Sequence, residues 1–299
     1  MDGPAATATA TGAATDTGAV TATGPSPARE ATTSSARHGR ARLVQLMREA
    51  ESAVALTGAG ISVPSGIPDF RTPGAGLWER VDPMEVAHID AFREDPARFW
   101  SFYGLRFATL GGKQPNGAHR ALVELEQRGL LDAVITQNVD MLHARAGTRE
   151  LVEVHGSIAT CSCPACASRV TLDAARELLR GAADGVPRCA HCRGALKPDV
   201  VLFGELLAPE ALERARMLCE RADLLICIGS SLEVHPVAGL PALTAAAGGA
   251  VAILTQGPTP LDELAAVRLS GDVVEELEAL AGALSPAGGR RSAGIRPGC

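Results

Sequence analysis

Four cysteines carry the most readable chemistry in this chain. Cys163 and Cys166 form one Cys-x-x-Cys pair and Cys189 and Cys192 form another, with residues 167–188 between them. Four thiolates spaced in this way can close a tetrahedral shell around one Zn²⁺. Such a shell has no open position, so the metal is expected to be structural. Disulfides are the competing use of these residues, and the lack of secreted character disfavours them. Cys161 offers a rival first ligand, but a gap of two residues makes the better knuckle, so it is placed outside the shell. Cys219 and Cys227 lie in apolar surroundings and read as buried, inert thiols, and Cys299 as an exposed tail residue.

A second chemical signal follows the run Ala53-Val54-Ala55-Leu56. There Gly58-Ala59-Gly60-Ile61-Ser62 forms a tight turn where backbone can approach a phosphate closely. A dehydrogenase fingerprint needs a third Gly or Ala three residues after Gly60, and Val63 stands there. The acidic residue expected at the end of a second strand is also missing. An NAD-dependent oxidoreductase is therefore disfavoured. Three polar segments accompany the loop: Gly66-Ile67-Pro68-Asp69-Phe70-Arg71, Thr136-Gln137-Asn138-Val139-Asp140 and Val154-His155-Gly156-Ser157. A histidine among short polar side chains suits proton transfer near neutral pH.

Something must hold these residues in place. Leu43, Val44 and Met47 mark one face of a helix ending near Ala50. Asn116 caps a helix carrying Leu122 and Leu125, and Gly129 stops it. Residues 53–56, 133–136, 151–155, 200–203, 224–228 and 251–254 read as strands. A helix spans 209–221, a helix-poor Ala/Gly stretch precedes Val251, and another helix starts at Asp272. Apolar strands alternating with helices imply an α/β fold, with a mostly parallel sheet covered on both faces. The cysteine segment interrupts that alternation and should fold as a separate small module.

Composition sets the bounds. The chain has 299 residues and is 46% hydrophobic, enough for one large domain with an insert. Its net charge of −6 argues against direct nucleic-acid binding and is compatible with a lysine-rich substrate. Residues 1–36 are mostly Ala, Thr, Gly, Ser and Pro without periodicity and read as a disordered tail. Residues 285–299 read as a second flexible tail. No apolar run is long enough to span a membrane, and a cytoplasmic protein is expected.

The motifs together, in this order, resemble the sirtuin family of NAD-dependent protein deacylases. The likeness runs from about residue 38 to about 283. It includes Lys197-Pro198-Asp199-Val200-Val201-Leu202-Phe203-Gly204-Glu205, Gly229-Ser230-Ser231-Leu232 and Gly257-Pro258-Thr259-Pro260. The resemblance implies a Rossmann-like parallel sheet over 37–284, with a zinc module inserted at about 157–197. It implies NAD as co-substrate, one structural Zn²⁺ and acyl-lysine proteins or peptides as substrates. The acyl oxygen attacks C1′ of the nicotinamide ribose, nicotinamide leaves, and the acyl group passes to ADP-ribose.

Residue by residue, His155 matches the family's general base. Asn138 and Asp140 match residues that orient the ribose and a site water, and Gln137 a ribose contact. Asp69 and the Ile67 backbone match the nicotinamide pocket, Phe70 a shielding ring and Arg71 a phosphate-side contact. Gly58, Ala59, Gly60 and Ser62 form the phosphate loop; Gly229, Ser230 and Ser231 form a second loop. Asp272 and Val273 match an adenine-contacting position. Thr255 departs from an Asn at an adenosine-ribose contact, which implies weaker NAD binding. Val200, Phe203 and Gly204 match the segment that pairs with substrate peptide.

Tyr103 and Arg106 match the Tyr-x-x-Arg pair of members that remove succinyl or malonyl groups. Gly76-Leu77-Trp78 looks more like a deacetylase, so acetyl removal is the main expectation. Desuccinylation, demalonylation and mono-ADP-ribosyl transfer are the enzymatic alternatives. A zinc-ribbon binding module is the non-enzyme alternative, disfavoured by the acidic charge and the His155, Asn138 and Asp140 set.

Overall fold

Strands form here where apolar residues are buried on both faces. β1 (Ala53–Thr57) is buried at every position, as is β7 (Leu224–Ile228). Ala53 and Ala55 point into one core with Leu43 and Met47, while Val54 and Leu56 point into another with Cys219 and Leu240. A leucine buried to this degree contributes about 1.5–3 kcal/mol. The computed structural model describes residues 27–69 and 82–285.

The chain runs α1 (Pro27–Glu49), β1, α2 (Pro83–Val86), α3 (Ile89–Glu94), α4 (Pro96–Gly111), α5 (Gly117–Gln127), β2 (Ala133–Thr136) and α6 (Leu142–Ala146). It continues with β3 (Leu151–Glu153), β4 (Gly156–Ser162), β5 (Arg169–Thr171), α7 (Leu172–Gly181), β6 (Lys197–Val200) and α8 (Pro209–Arg221). β7, α9 (Leu240–Ala246), β8 (Ala250–Leu254), β9 (Val267–Leu269) and α10 (Val273–Ala283) complete it. Six parallel strands lie in the order β3–β2–β1–β7–β8–β9. Residues of α1, α5 and α10 join one core cluster, and residues of α8 and α9 join the other. This is a parallel, Rossmann-like α/β sheet. A second, antiparallel sheet, β5–β4–β6, packs with α3, α4 and α7 around its own core of Phe99, Trp100, Ile158 and Leu196. No described helix is long and apolar enough to cross a membrane.

Three sequence expectations change. Residues 27–36, expected to be part of a tail, lie in α1, which begins at Pro27. Proline fits the first helical turn, and a helix anchored by Leu43, Leu46 and Met47 extends backwards more easily than one nucleates. Residues 1–26 and 286–299, including Cys299, lie outside the described residues.

The strand expected at 200–203 stops at Val200 and belongs to the antiparallel sheet. Beyond it, Val201 N–H donates to His155 O at 2.9 Å and Phe203 N–H to Ala87 O at 2.9 Å. Val200 and Leu202 are buried but Phe203 is 41% exposed, an alternation unsuited to the middle of a covered parallel sheet. Finally, the Ala/Gly stretch before β8 contains α9. Alanine is the best helix former, Pro241 sits in the first turn, and Gly248 stops the helix at φ +91°.

Candidate active site and metal centre

The sheet opens a crevice where its strand order reverses. β1 lies between β2 and β7, so connections leave β1 and β7 on opposite sides and part at their C-terminal ends. Gly58 follows β1 and Gly229 follows β7, and the two loops interlock. Gly58 N–H donates to Ile228 O at 2.9 Å, and Gly60 N–H to Gly229 O at 2.8 Å. Gly229 holds φ +60°, and a Cβ on Gly60 would come within 2.7 Å of Gly229 Cα. Only glycine lets these backbones meet. Asn116 braces the loop from α5, donating from Nδ2 to Ile61 O at 2.8 Å and Ser65 Oγ at 3.0 Å. In the sequence Asn116 shows only as a helix cap; its bracing role is non-local and leaves no local signal.

Polar side chains converge on this crevice from the end of β2. Ser62 Oγ donates to Asp140 Oδ2 at 2.6 Å. Asn138 Nδ2 donates to Gly58 O at 3.1 Å and Ser62 Oγ at 3.2 Å. Gln137 Nε2 donates to Ser230 Oγ at 2.8 Å, tying the β2 loop to the β7 loop. Burial pushes the Asp140 carboxyl up from its ordinary range, while the Ser62 hydroxyl and the Leu142 N–H pull it back. His155, between β3 and β4, faces the same turn, with Nδ1 3.0 Å from Gln137 O. A carbonyl only accepts, so Nδ1 carries the ring proton and Nε2 keeps the lone pair. Burial lowers the His155 pKa and the Gln137 bond opposes that shift.

Thus Gly58, Gly60, Ser62, Gln137, Asn138, Asp140, His155, Gly229 and Ser230 are brought together, with Ala59 in the same loop and Ser231 directly after Ser230. Asp69 is half-buried at the end of the described loop. Phe70, Arg71 and Gly76-Leu77-Trp78 lie outside the described residues. Thr255 follows β8, its N–H donating to Leu269 O at 3.1 Å. Asp272 caps α10, accepting from Val274 N at 2.9 Å and Glu275 N at 3.1 Å, with Val273 as the first helical residue.

The 200–204 segment is braced against the site. Lys197 Nζ lies 2.8 Å from Glu205 Oε2 and donates to Val200 O at 2.7 Å. Leu202 N–H donates to the same Glu205 oxygen at 2.9 Å. Gly204 adopts φ +83°, beside His88. On α4, the Tyr103 ring stacks between Phe99, at 4.6 Å, and Phe107, at 5.1 Å. The Arg106 guanidinium lies 5.5 Å from the Phe102 ring centre. Burial raises Tyr103 to about 12 and lowers Arg106.

In the small lobe the four cysteine sulfurs Cys163, Cys166, Cys189 and Cys192 lie within 4.8 Å of one another. Two like turns make the knuckles. Ala167 N–H returns to Cys163 O at 2.8 Å and Arg193 N–H to Cys189 O at 2.9 Å, with Ala167 and Arg193 both at positive φ. Backbone N–H groups of Cys192 and His191 hold Cys189 down to about 6, favouring the thiolate that a metal needs. This donor set fits one tetrahedral Zn²⁺. Cys161 stays outside the cluster, buried in the small core, its thiol pushed up to about 12.

Beneath the crevice lie two buried histidines that the sequence did not single out. The His119 and His143 rings sit 4.8 Å apart. Burial lowers His119 to about 4 and His143 to about 3. In the unfolded chain both would protonate near 6.5. Their contribution to stability is therefore present above that value and is lost as pH falls towards 4 and then 3. The melting temperature is expected to drop on acidification below pH 6.5, and less steeply in His143→Gln. An equal slope in both proteins would contradict this origin.

The Sir2 family profile matches residues 58–236. The chain is 41% identical to NAD-dependent protein deacylase 1 of Archaeoglobus fulgidus, over 79% of this chain and 95% of that one. It is 41% identical to the NAD-dependent protein deacetylase of Thermotoga maritima, over 78% and 93%. A solved Sir2 complex with a deacetylated p53 peptide and 3′-O-acetyl ADP-ribose superimposes with a TM-score of 0.77. The identity there is 39%, over 81% of this chain and 97% of that one. A Sir2–p53 peptide–NAD⁺ complex gives 0.75 at 39% identity, over 81% and 96%.

Proposed function

The chain belongs to the Sir2 family, and on that premise we propose that it removes acetyl groups from protein lysines at the expense of NAD. The products are nicotinamide, the free lysine and O-acetyl-ADP-ribose, with one water consumed. The observation that carries the reading is the junction of the Gly58 and Gly229 loops with His155, whose Nδ1 is turned to Gln137 O at 3.0 Å. That junction is a place for backbone to meet a diphosphate, beside a ring poised to accept a proton.

In this reading the Gly58–Ser62 loop and Gly229–Ser231 hold the phosphates, and Gln137, Asn138 and Asp140 orient the nicotinamide ribose. Asp69, Phe70 and Arg71 line the nicotinamide side, and Thr255, Asp272 and Val273 the adenosine side. His155 Nε2 takes a proton from a ribose hydroxyl, and Val200, Phe203 and Gly204 pair with the peptide backbone. Zn²⁺ on the four cysteines holds the small lobe together and takes no part in bond-making. We assign residues 37–284 to the catalytic unit, with the zinc module at about 157–197. A four-thiolate site suits a reducing compartment such as the cytoplasm.

A second reading, removal of acidic acyl groups, has one observation in its favour. Arg106 is half-buried, and none of the described carboxylates pairs with it. Against it, Phe99 and Phe107 clasp the Tyr103 ring and Phe102 supports Arg106, so packing accounts for both residues. Arg106→Ala is therefore expected to alter turnover of acetyl and succinyl peptides together and only slightly. A selective loss with succinyl peptide of about 1.5–3 kcal/mol, the scale of a charge-assisted bond, would favour the second reading. Nicotinamide release with acetyl, succinyl and longer acyl peptides tests both.

A further inference from the structure

The turn that carries Gln137 and Asn138 is gripped from below by residues that the proposed reaction does not use. Thr57 ends β1 and Thr136 ends β2, and they are register partners in the sheet. Thr57 Oγ1 donates to Thr136 Oγ1 at 2.8 Å. Having donated its own proton, Thr57 Oγ1 can only accept from His143 Nε2, 2.9 Å away. Thr136 Oγ1 also receives the Asn138 N–H at 3.1 Å. Thr57, Thr136 and His143 are each at most 2% exposed.

The Asn138 N–H and the Gln137 C=O belong to one peptide group. A trans peptide points them in opposite directions. One end is held by Thr136 Oγ1, and the other accepts His155 Nδ1–H at 3.0 Å. The rest of the clamp is backbone: Gln137 N–H donates to Thr57 O at 2.9 Å. We propose that Thr136, Thr57 and His143 are positioning residues for His155. They form a buried hydrogen-bond chain that sets the Gln137–Asn138 peptide plane, and so fixes the His155 tautomer with its lone pair on Nε2. A peptide whose N–H donates becomes a stronger acceptor at its C=O, because linked hydrogen bonds polarise one another in a low-dielectric interior. The bond to Thr136 thus strengthens the Gln137 carbonyl, while Thr57 and His143 hold the Thr136 hydroxyl where it aims that carbonyl. The His119 ring, packed on His143 from α5, holds the far end of the chain in place.

This rests on the reading of His155 as the general base. The test uses the full chain, with ¹⁵N-labelled histidine in the wild type, Thr136→Val and Thr136→Ser. Valine keeps the shape and removes the hydroxyl; serine restores it. The ¹⁵N shifts of the neutral His155 ring give its tautomer without any substrate. Steady-state kinetics with NAD and an acetyl-lysine peptide give kcat and KM separately.

Thr136→Val is expected to lower kcat roughly tenfold with little change in KM for NAD, the signature of a misaimed base. The Nδ1-protonated tautomer should fall in the same variant, and Thr136→Ser should recover both. Thr57→Val breaks the chain one link further away and should act in the same direction, which keeps the test open if Thr136→Val does not fold. An unchanged His155 tautomer in the valine variants overturns the proposal. So does a serine variant as impaired as valine, or a kcat loss matched by a rise in KM. A wild type that fails to deacetylate would overturn the reading of His155 instead, and the ring shifts would still decide whether the chain sets the tautomer.

Discussion

His155→Ala is expected to lower the turnover of acetyl-lysine peptide about 10²–10⁴-fold, the usual loss when a general base is removed. NAD affinity and the melting temperature should change little. The side chain contributes one bond, to Gln137 O, while the loops interlock through Gly58, Gly60 and Gly229 backbone. Because burial lowers the His155 pKa in the ligand-free protein, the acid limb of kcat/KM should fall below the ordinary histidine value near 6.5. Activity should decline as pH drops through that limb, since the protonated ring cannot accept. Retention of more than about a hundredth of wild-type kcat would remove His155 from the role of base.

Loss of zinc should have the second large effect. One Zn²⁺ per chain is expected by elemental analysis, and Cys163→Ser should release it. Metal binding in such sites contributes about 10–16 kcal/mol to folding. The small lobe should therefore lose its order and activity should disappear with it. The three-stranded sheet depends on this site directly, because Cys163 follows β4 and Cys189 leads towards β6. Cys161→Ser should keep the metal, as its thiol is buried in the small core outside the cluster. Zinc-free protein with an intact small sheet, or metal lost by Cys161→Ser and kept by Cys163→Ser, would reverse the assignment.

The large sheet was legible where burial leaves no alternative. β1, β7 and β8 are short apolar runs, and the structure buries them on both faces. α5 showed itself through the Asn116 cap and the Gly129 stop, at φ +67°. β9 escaped because the alternation of Val267, Arg268 and Leu269 is too short to establish a period, yet Val267 and Leu269 are buried beside β8. The small sheet escaped because its strands are half-exposed and its order comes from cysteine turns rather than periodicity. The strand over 200–203 was misplaced because apolar composition does not say which sheet a segment joins.

In the site, glycine spacing and the polar motifs pointed to the residues that meet at the crevice. They did not show that Thr57, Thr136 and His143 form one chain. Those three residues lie on β1, β2 and α6, and only the parallel register and the packing of α6 bring them together.

The proposed activity is a coupled reaction at the Gly58–Gly229 junction. The most direct measurement is product analysis of the wild-type protein with NAD and an acetyl-lysine peptide. One nicotinamide and one O-acetyl-ADP-ribose are expected for each lysine freed, with no deacetylation when NAD is left out. Deacetylation that proceeds without NAD, or nicotinamide released with the peptide still acetylated, would contradict it.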